Sequence, residues 1–268
     1  MKYPGRLVLL GDPVSESLSP TFQNAALRAA QIPLVYEALQ VAKPALRGLI
    51  RDLRKVSAAG NVTIPHKVAV HDRCDTLTDL ASRVGAVNTF WFESGRLHGD
   101  NTDVSGFDTA ARALLGGEAP AGARVVLLGS GGAAAAVLAA IEDWKSATVL
   151  IVARNTVRAE ALARRFPDVG RIETSVTRAV AGATLIVNAT PVGQREGEQP
   201  LDVAIIEKST AVMDLGYMRG GTPWVRAARA KGNPAADGLT MLLEQGARSF
   251  QRWFGIAPDR EAMRQSLL

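Results

Sequence analysis

The chain carries a single cysteine, Cys74, and three histidines, His66, His71 and His98, that share no ligand spacing. One thiol cannot close an internal disulfide. A disulfide-stapled secreted scaffold and a cysteine-cluster metal site are both excluded, no metal is expected, and the expected address is cytoplasmic. Aromatic residues are scarce at 5%, so the core has to be aliphatic. Long apolar runs are missing too. The charge-free stretch Val125–Ile141 falls short of the ~20 residues of a membrane span, and Gly129, Gly131 and Gly132 interrupt it. At the start, Leu7–Leu10 runs straight into Gly11-Asp12-Pro13 and is too short for a secretion signal. No charge of one sign is concentrated anywhere. The 31 basic and 26 acidic residues leave +5, but the basic side chains are scattered, with Glu160 and Asp168 among Arg158, Arg164 and Arg165. A nucleic-acid partner would call for a basic run. A modest positive field suits small anions better.

What is present is enough for a packed protein: 47% hydrophobic and 21% charged over 268 residues, one large domain or two medium ones. Strand and helix patterns alternate. Leu7–Leu10 reads as a strand, followed by a helix opened by Ser19-Pro20 and running to about Ala30. Leu34–Val41, a helix from Pro44 to Lys55, Gly60–Ile64 and a helix from Pro65 continue the rhythm. Val87–Glu93 and Arg96–Asp100 flank Ser94-Gly95 as a hairpin, and a helix spans Asp103 to Leu115. After the glycine-rich break at residues 116–122 the rhythm restarts, with strands at Val125–Leu128, Thr148–Val152, Leu185–Asn188 and Ala211–Asp214. Helices at Leu239–Phe254 and from Asp259 end the chain. This βα alternation predicts an α/β fold of two units with mostly parallel sheets and a terminal helical segment.

The strongest local signal is Gly129-Ser130-Gly131-Gly132-Ala133-Ala134 between a buried strand and an alanine-rich helix. Glycines here allow a tight turn and close approach of a pyrophosphate to the helix N-terminus, so Gly129, Ser130, Gly131, Gly132 and Ala133 are expected at a dinucleotide. The next strand ends Ala153-Arg154-Asn155, with Arg158 one turn on, where an NAD site carries an acid. Guanidinium binds a 2′-phosphate that a carboxylate would repel, so the cofactor expected is NADP.

The first unit places polar residues where strands end: Ser17 and Ser19 after the first strand, Asn61 and Thr63 on one face of the third, Asn88 closing another, and Asn101-Thr102-Asp103 opening the long helix. Lys67 falls in the first turn of a helix, where the dipole disfavours an ammonium, so a structural role does not explain it. The bland readings are that Ser19 caps its helix ahead of a proline at its first position, that Thr102 or Asp103 is only a cap, and that the histidines are surface or partly buried. Cys74 has no activating partner in view.

In order and spacing these segments resemble the shikimate dehydrogenase family: Ser17-Leu18-Ser19-Pro20, Asn61-Val62-Thr63-Ile64-Pro65-His66-Lys67, Gly85-Ala86-Val87-Asn88-Thr89 and Asn101-Thr102-Asp103, then the Gly129 loop, Asn188-Ala189-Thr190-Pro191-Val192-Gly193, Asp214-Leu215-Gly216-Tyr217, and Asp237-Gly238-Leu239-Thr240-Met241-Leu242 leading to Gln245. The resemblance runs from about residue 6 to 255. It implies NADPH-dependent reduction of 3-dehydroshikimate to shikimate, with a small-molecule substrate and no nucleic-acid or membrane partner, in a monomer or homodimer. By similarity Ser17 and Ser19 bind the substrate carboxylate, Thr63, Asn88 and Gln245 the ring hydroxyls with Tyr217 nearby, and Lys67 and Asp103 form the catalytic pair. Arg154, Asn155, Arg158, Thr190 and Gly238 join the glycine loop at the cofactor. The implied architecture is a substrate-binding domain of residues 1–104 and 239–268 and a Rossmann-type domain of residues 105–238, with the active site in the cleft between them. Glu16, Ala153, Gly216 and Met218-Arg219 depart from the family pattern. The alternatives are a paralogue acting on quinate or a related cyclohexane carboxylate, and a catalytically silent nucleotide or metabolite sensor.

Overall fold

A computed structural model describes residues 3–193 and 195–268. The chain divides into two compact units, Met1–Gly106 with Leu242–Leu268, and Phe107–Met241.

The first unit runs β1 (Leu7–Gly11), α1 (Ser19–Ala29), β2 (Tyr36–Gln40), α2 (Leu46–Lys55), β3 (Ala59–Val62), α3 (Lys67–His71), β4 (Thr76–Leu77), α4 (Asp79–Val84), β5 (Thr89–Glu93), β6 (Arg96–Asp100) and the start of α5 (Asp103–Leu114). Its sheet has the order β2-β1-β3-β5-β6-β4, parallel except for β5. Every residue of β1 is buried, because both faces are covered. Val8 and Leu10 pack with Leu46, Ile50 and Leu53 of α2, whereas Leu7 and Leu9 pack with Phe22 and Leu27 of α1 and with Phe250 and Phe254. That division is the two-residue period of a strand. Ser94 and Gly95, both at positive φ, turn β5 into β6 as expected of a two-residue hairpin.

The antiparallel β5 sets the geometry of the site. Because it runs against β3, its beginning lies beside the end of β3, and the end of β6 lies beside both: Asn61 pairs with Thr89, and Thr89 with Asp100. Asn88 therefore precedes a strand rather than closing one, and it reaches the carboxyl edge of the parallel strands by this reversal. Thr63 lies beyond the end of β3, at Val62. The helices expected from Pro44 and Pro65 begin at Leu46, after a 3-10 turn, and at Lys67.

The second unit comprises the rest of α5, β7 (Arg124–Leu128), α6 (Gly132–Ile141), β8 (Thr148–Val152), α7 (Thr156–Arg165), β9 (Gly170–Ile172), α8 (Val176–Val180), β10 (Leu185–Asn188), β11 (Ala211–Asp214), α9 (Pro223–Lys231), β12 (Ala235–Ala236) and the first residues of α10 (Leu239–Phe254); α11 (Arg260–Gln265) belongs to the first unit. Its six strands are all parallel in the order β12-β11-β10-β7-β8-β9. This is the doubly wound dinucleotide-binding order, with its switch point between β7 and β10. Among the described residues no helix is long and apolar enough to cross a membrane, and no group of three or more His, Cys, Asp or Glu side chains could hold a metal.

Candidate active site

In the first unit a connected set of polar side chains forms where β3, β5 and β6 meet. Lys67 is the first residue of α3, and its Nζ donates to Asp103 Oδ2 at 2.6 Å. Asp103 opens α5, with only 6% of its side chain exposed against 18% for Lys67. Its other oxygen, Oδ1, accepts from Asn88 Nδ2 at 2.8 Å. Asn88 Nδ2 also lies 3.2 Å from Gln245 Oε1 of α10 and 2.9 Å from Thr102 Oγ1, while Asn88 Oδ1 accepts from Thr102 N at 2.7 Å. Asp103 N donates to Asn101 Oδ1, and Asn101 Nδ2 donates to Ala86 O. The carboxylate is thus held at both oxygens and is spent on Lys67 and Asn88 rather than on a cap. The site brings together four of the expected residues: Lys67, Asp103, Asn88 and Gln245.

Ser17, Ser19 and Thr63 stand outside that hydrogen-bonded set. Ser17 Oγ accepts from Ser19 N at 3.3 Å in the turn after β1. Ser19 is not the N-cap: that position is Leu18, without a side-chain cap bond, and Ser19 is already helical. The helix begins one residue earlier than a Ser19 cap requires, which puts Pro20 at its second position, so the Ser19 hydroxyl is not used by the helix end. Thr63, half-buried, follows β3 with its backbone N–H donated to Leu10 O.

His66 corrects the surface reading. It is fully buried, and its Nε2 lies 2.6 Å from Val41 O, so that nitrogen carries the hydrogen, since a carbonyl can only accept. Cys74 packs against the apolar core, and burial pushes its thiol up to about 12, so it has no thiolate chemistry at neutral pH. The sequence reading also missed Tyr36 and Ser249, both buried and tied into the set through Asn61 and Thr102. The signal for Ser249 was its place one helical turn from Gln245.

The second unit carries the glycine loop at the carboxyl end of β7. Gly129 has φ +118, and a Cβ there would lie 3.1 Å from Ala189 O, so both the turn and the close packing require glycine. Gly131 caps α6 in extended conformation with no side-chain bond, and the first turn of α6 holds no acidic residue. The leading N–H groups of this buried helix therefore point outward without a side-chain acceptor, beside Gly131, where a Cβ would meet nothing within 4 Å. Ser130, Gly132 and Ala133 are half-buried around it. After β8, Arg154 and Arg158 are exposed, and among the described residues neither guanidinium has an acidic partner. Asn155 caps α7, its Oδ1 accepting from Arg158 N at 2.9 Å, which leaves its amide Nδ2 free. An anion-binding helix end followed by unpaired arginine and no acid fits a phosphorylated dinucleotide.

Two further loops of this unit are tied together by Asn188 and Asp214. Asn188 Oδ1 accepts from Thr190 N and Oγ1 at 3.0 and 2.6 Å, and its Nδ2 donates to Asp214 Oδ1 at 3.0 Å. Asp214 also accepts from Gly216 N and Thr222 Oγ1. Burial outweighs these bonds and pushes the Asp214 carboxyl up to about 6. Gly238 touches the same loop so closely that a Cβ would lie 2.2 Å from Leu215 O. Thr190, Tyr217 and Gly238 are therefore carried on one cross-braced set of loops.

Comparison with known proteins decides the family. Residues 9–90 match the shikimate dehydrogenase substrate binding domain and residues 238–268 the shikimate 5′-dehydrogenase C-terminal domain. Over 259 residues the chain is 40% identical to the shikimate dehydrogenase (NADP(+)) of Methylocella silvestris, covering 94% of this chain and 91% of that one. The chain belongs to the shikimate dehydrogenase family. Solved structures of shikimate dehydrogenases superpose over nearly the whole chain. That of Aquifex aeolicus gives a TM-score of 0.90 at 32% identity, covering 98% of this chain and 97% of that one. That of Thermus thermophilus, in complex with NADP(H) and shikimate, gives 0.87 at 36%, covering 97% of each. This chain is thus an oxidoreductase whose curated relatives use NADP, which does not favour the quinate or silent-sensor alternatives.

Proposed function

We propose that the chain catalyses the reversible NADPH-dependent reduction of 3-dehydroshikimate to shikimate, as a cytoplasmic monomer or homodimer, with Lys67 as the proton-exchanging group and Asp103 as its partner. The observation that carries this reading is the Lys67–Asp103 contact of 2.6 Å, in which Asn88 occupies the second carboxylate oxygen. Ser17 and Ser19, at the carboxyl end of β1 with the Ser19 hydroxyl unused by its helix, suit the substrate carboxylate. Thr63, Asn88 and Gln245 supply donors and acceptors for the ring hydroxyls, and Tyr217 is a further candidate for the substrate. The glycine loop with Ser130 and Ala133 would hold the pyrophosphate. Arg154 and Arg158 would hold the 2′-phosphate, with Asn155, Thr190 and Gly238 at the nucleoside and nicotinamide portions. NADPH, when bound, supplies the hydride.

As the substrate carbonyl carbon accepts that hydride, its oxygen becomes basic and takes a proton from Lys67 Nζ. In the reverse direction the neutral amine takes the proton from the hydroxyl. Asp103 holds Nζ through Oδ2 and so orients the lysine. Initial rates with shikimate and with quinate, each with NADP and with NAD and followed by the absorbance of the reduced nicotinamide, test the proposal. The shikimate and NADP pair should give the highest kcat/KM. Preference for quinate or for NAD would refute the assignment, as would absence of turnover with shikimate.

A further inference from the structure

Behind the Lys67–Asp103 pair lies a buried chain of polar groups that the reaction does not touch. Ser249 of α10 is fully buried, and its Oγ has three neighbours: Gln245 O at 3.0 Å, Asn61 Nδ2 at 2.8 Å and Thr102 Oγ1 at 3.0 Å. Gln245 O is a carbonyl and only accepts, so in that contact Ser249 is the donor. Asn61 also faces Asn88 O at 3.1 Å, a second carbonyl, so the atom on that side must be its NH₂. This agrees with Tyr36 donating its O–H to Asn61 Oδ1 at 2.8 Å, a phenol that burial keeps protonated. Asn61 N–H therefore donates to Ser249 Oγ, which also shares a hydrogen bond with the Thr102 hydroxyl.

Thr102 in turn meets both ends of the Asn88 amide: its Oγ1 lies 2.9 Å from Asn88 Nδ2 and 3.2 Å from Asn88 Oδ1, and its backbone N–H donates to Asn88 Oδ1. With that N–H on Oδ1 and the Asp103 carboxylate on the other side, the Asn88 amide has one orientation, Nδ2 toward Asp103 Oδ1 and Gln245 Oε1. Resting on the function proposed above, we infer that Ser249 is a positioning residue for the reaction: by bonding Asn61 and Thr102 together it places Thr102 against Asn88, and through Asn88 it places the carboxylate that holds Lys67. Buried networks of this kind specify one geometry only when every member is satisfied. A serine one turn beyond Gln245 supplies the acceptor that alanine would not.

The test is steady-state kinetics with shikimate and NADP on Ser249→Ala, Thr102→Val and the double variant, with Lys67→Ala as control and Tm measured throughout. Each single variant should lower kcat about tenfold, the equivalent of one hydrogen bond, with a smaller change in KM. Because the two act in series, the double variant should be no worse than the poorer single one, whereas independent sites would multiply their losses. Wild-type kcat in Ser249→Ala, with only a lower Tm, would overturn the proposal, as would additive losses. Tyr36→Phe perturbs the same chain from its far end without emptying the core, so it decides the matter if Ser249→Ala does not fold. It should lower kcat severalfold, and unchanged kcat there counts against the inference. Unchanged turnover in Lys67→Ala would instead overturn the reading on which the inference rests.

Discussion

Replacing Asp103 by asparagine preserves shape and removes charge, in a place where the geometry leaves no room for the exchange. The carboxylate accepts at both oxygens, from Lys67 at 2.6 Å and from Asn88 at 2.8 Å. An asparagine has one acceptor and one donor. If its oxygen faces Asn88, its NH₂ meets the lysine ammonium; if it faces Lys67, its NH₂ meets the NH₂ of Asn88. No rotamer satisfies both, and the side chain is only 6% exposed. Breaking a fully buried pair costs about 3–5 kcal/mol; Lys67 keeps some solvent, so about 2 kcal/mol is the expected loss of stability. At roughly 2–4 °C per kcal/mol this lowers Tm by about 4–8 °C. The kinetic effect should be larger, with kcat down by about 10²–10³, the worth of a positioned acid–base group, and KM changed less. Stopped assays of kcat and KM beside a thermal melt separate the two. A variant with lower Tm and wild-type kcat would show that Asp103 is a structural anchor, and the catalytic pairing would be wrong.

Arg154→Ala should raise KM for NADP at least about tenfold, the worth of one charge-assisted contact of about 1.5–3 kcal/mol, while KM for NAD stays close to wild type; equal losses would remove Arg154 from the 2′-phosphate. Ser17→Ala and Ser19→Ala should each raise KM for shikimate, Ser19→Ala without lowering Tm because its hydroxyl does not cap α1, whereas Ser17→Ala also gives up the long bond from Ser19 N; a Tm drop with unchanged KM in Ser19→Ala would contradict this. Asp214 gives a pH dependence. Its carboxyl is raised from 3.8 to about 6 in the fold, so between those values the folded chain keeps a proton that the unfolded chain releases. Stability should fall as pH rises through that window, by on the order of 2–3 kcal/mol, and level off above it. Asp214→Asn can accept from Asn188 and Gly216 through its oxygen and donate to Thr222, so it should raise Tm at neutral pH and flatten the profile. An unchanged profile would place the titration elsewhere.

Local signals in the sequence reach far in the second unit. The strand, glycine loop and alanine-rich helix around Gly129 form a continuous segment, and α/β alternation with short connections leaves few topologies. Strands β8, β10 and β11 fall where their apolar runs lie, and only the short edge strands β9 and β12 escape, since two or three residues carry no period. In the first unit the residues are legible but their mode of assembly is not. Asn88 is in the site because β5 runs antiparallel, a pairing that no residue near Asn88 announces. Serine before proline usually caps a helix, which points to Ser19; here Leu18 takes that position. His66 reads as a surface or partly buried residue because its partner, Val41 O, is a backbone atom 25 residues away. The buried Tyr36–Asn61–Ser249–Thr102 chain joins four segments distant in sequence, so only the fold reveals it.

The central claim is that Lys67 exchanges the proton, and the most direct measurement is kcat for shikimate oxidation by Lys67→Ala and Lys67→Arg at saturating NADP. Alanine should lower kcat by about 10²–10⁴ with a smaller change in KM. Arginine should not rescue it, because a guanidinium stays protonated at working pH and cannot accept the hydroxyl proton. Wild-type kcat in Lys67→Ala, or full activity in Lys67→Arg, would contradict the account.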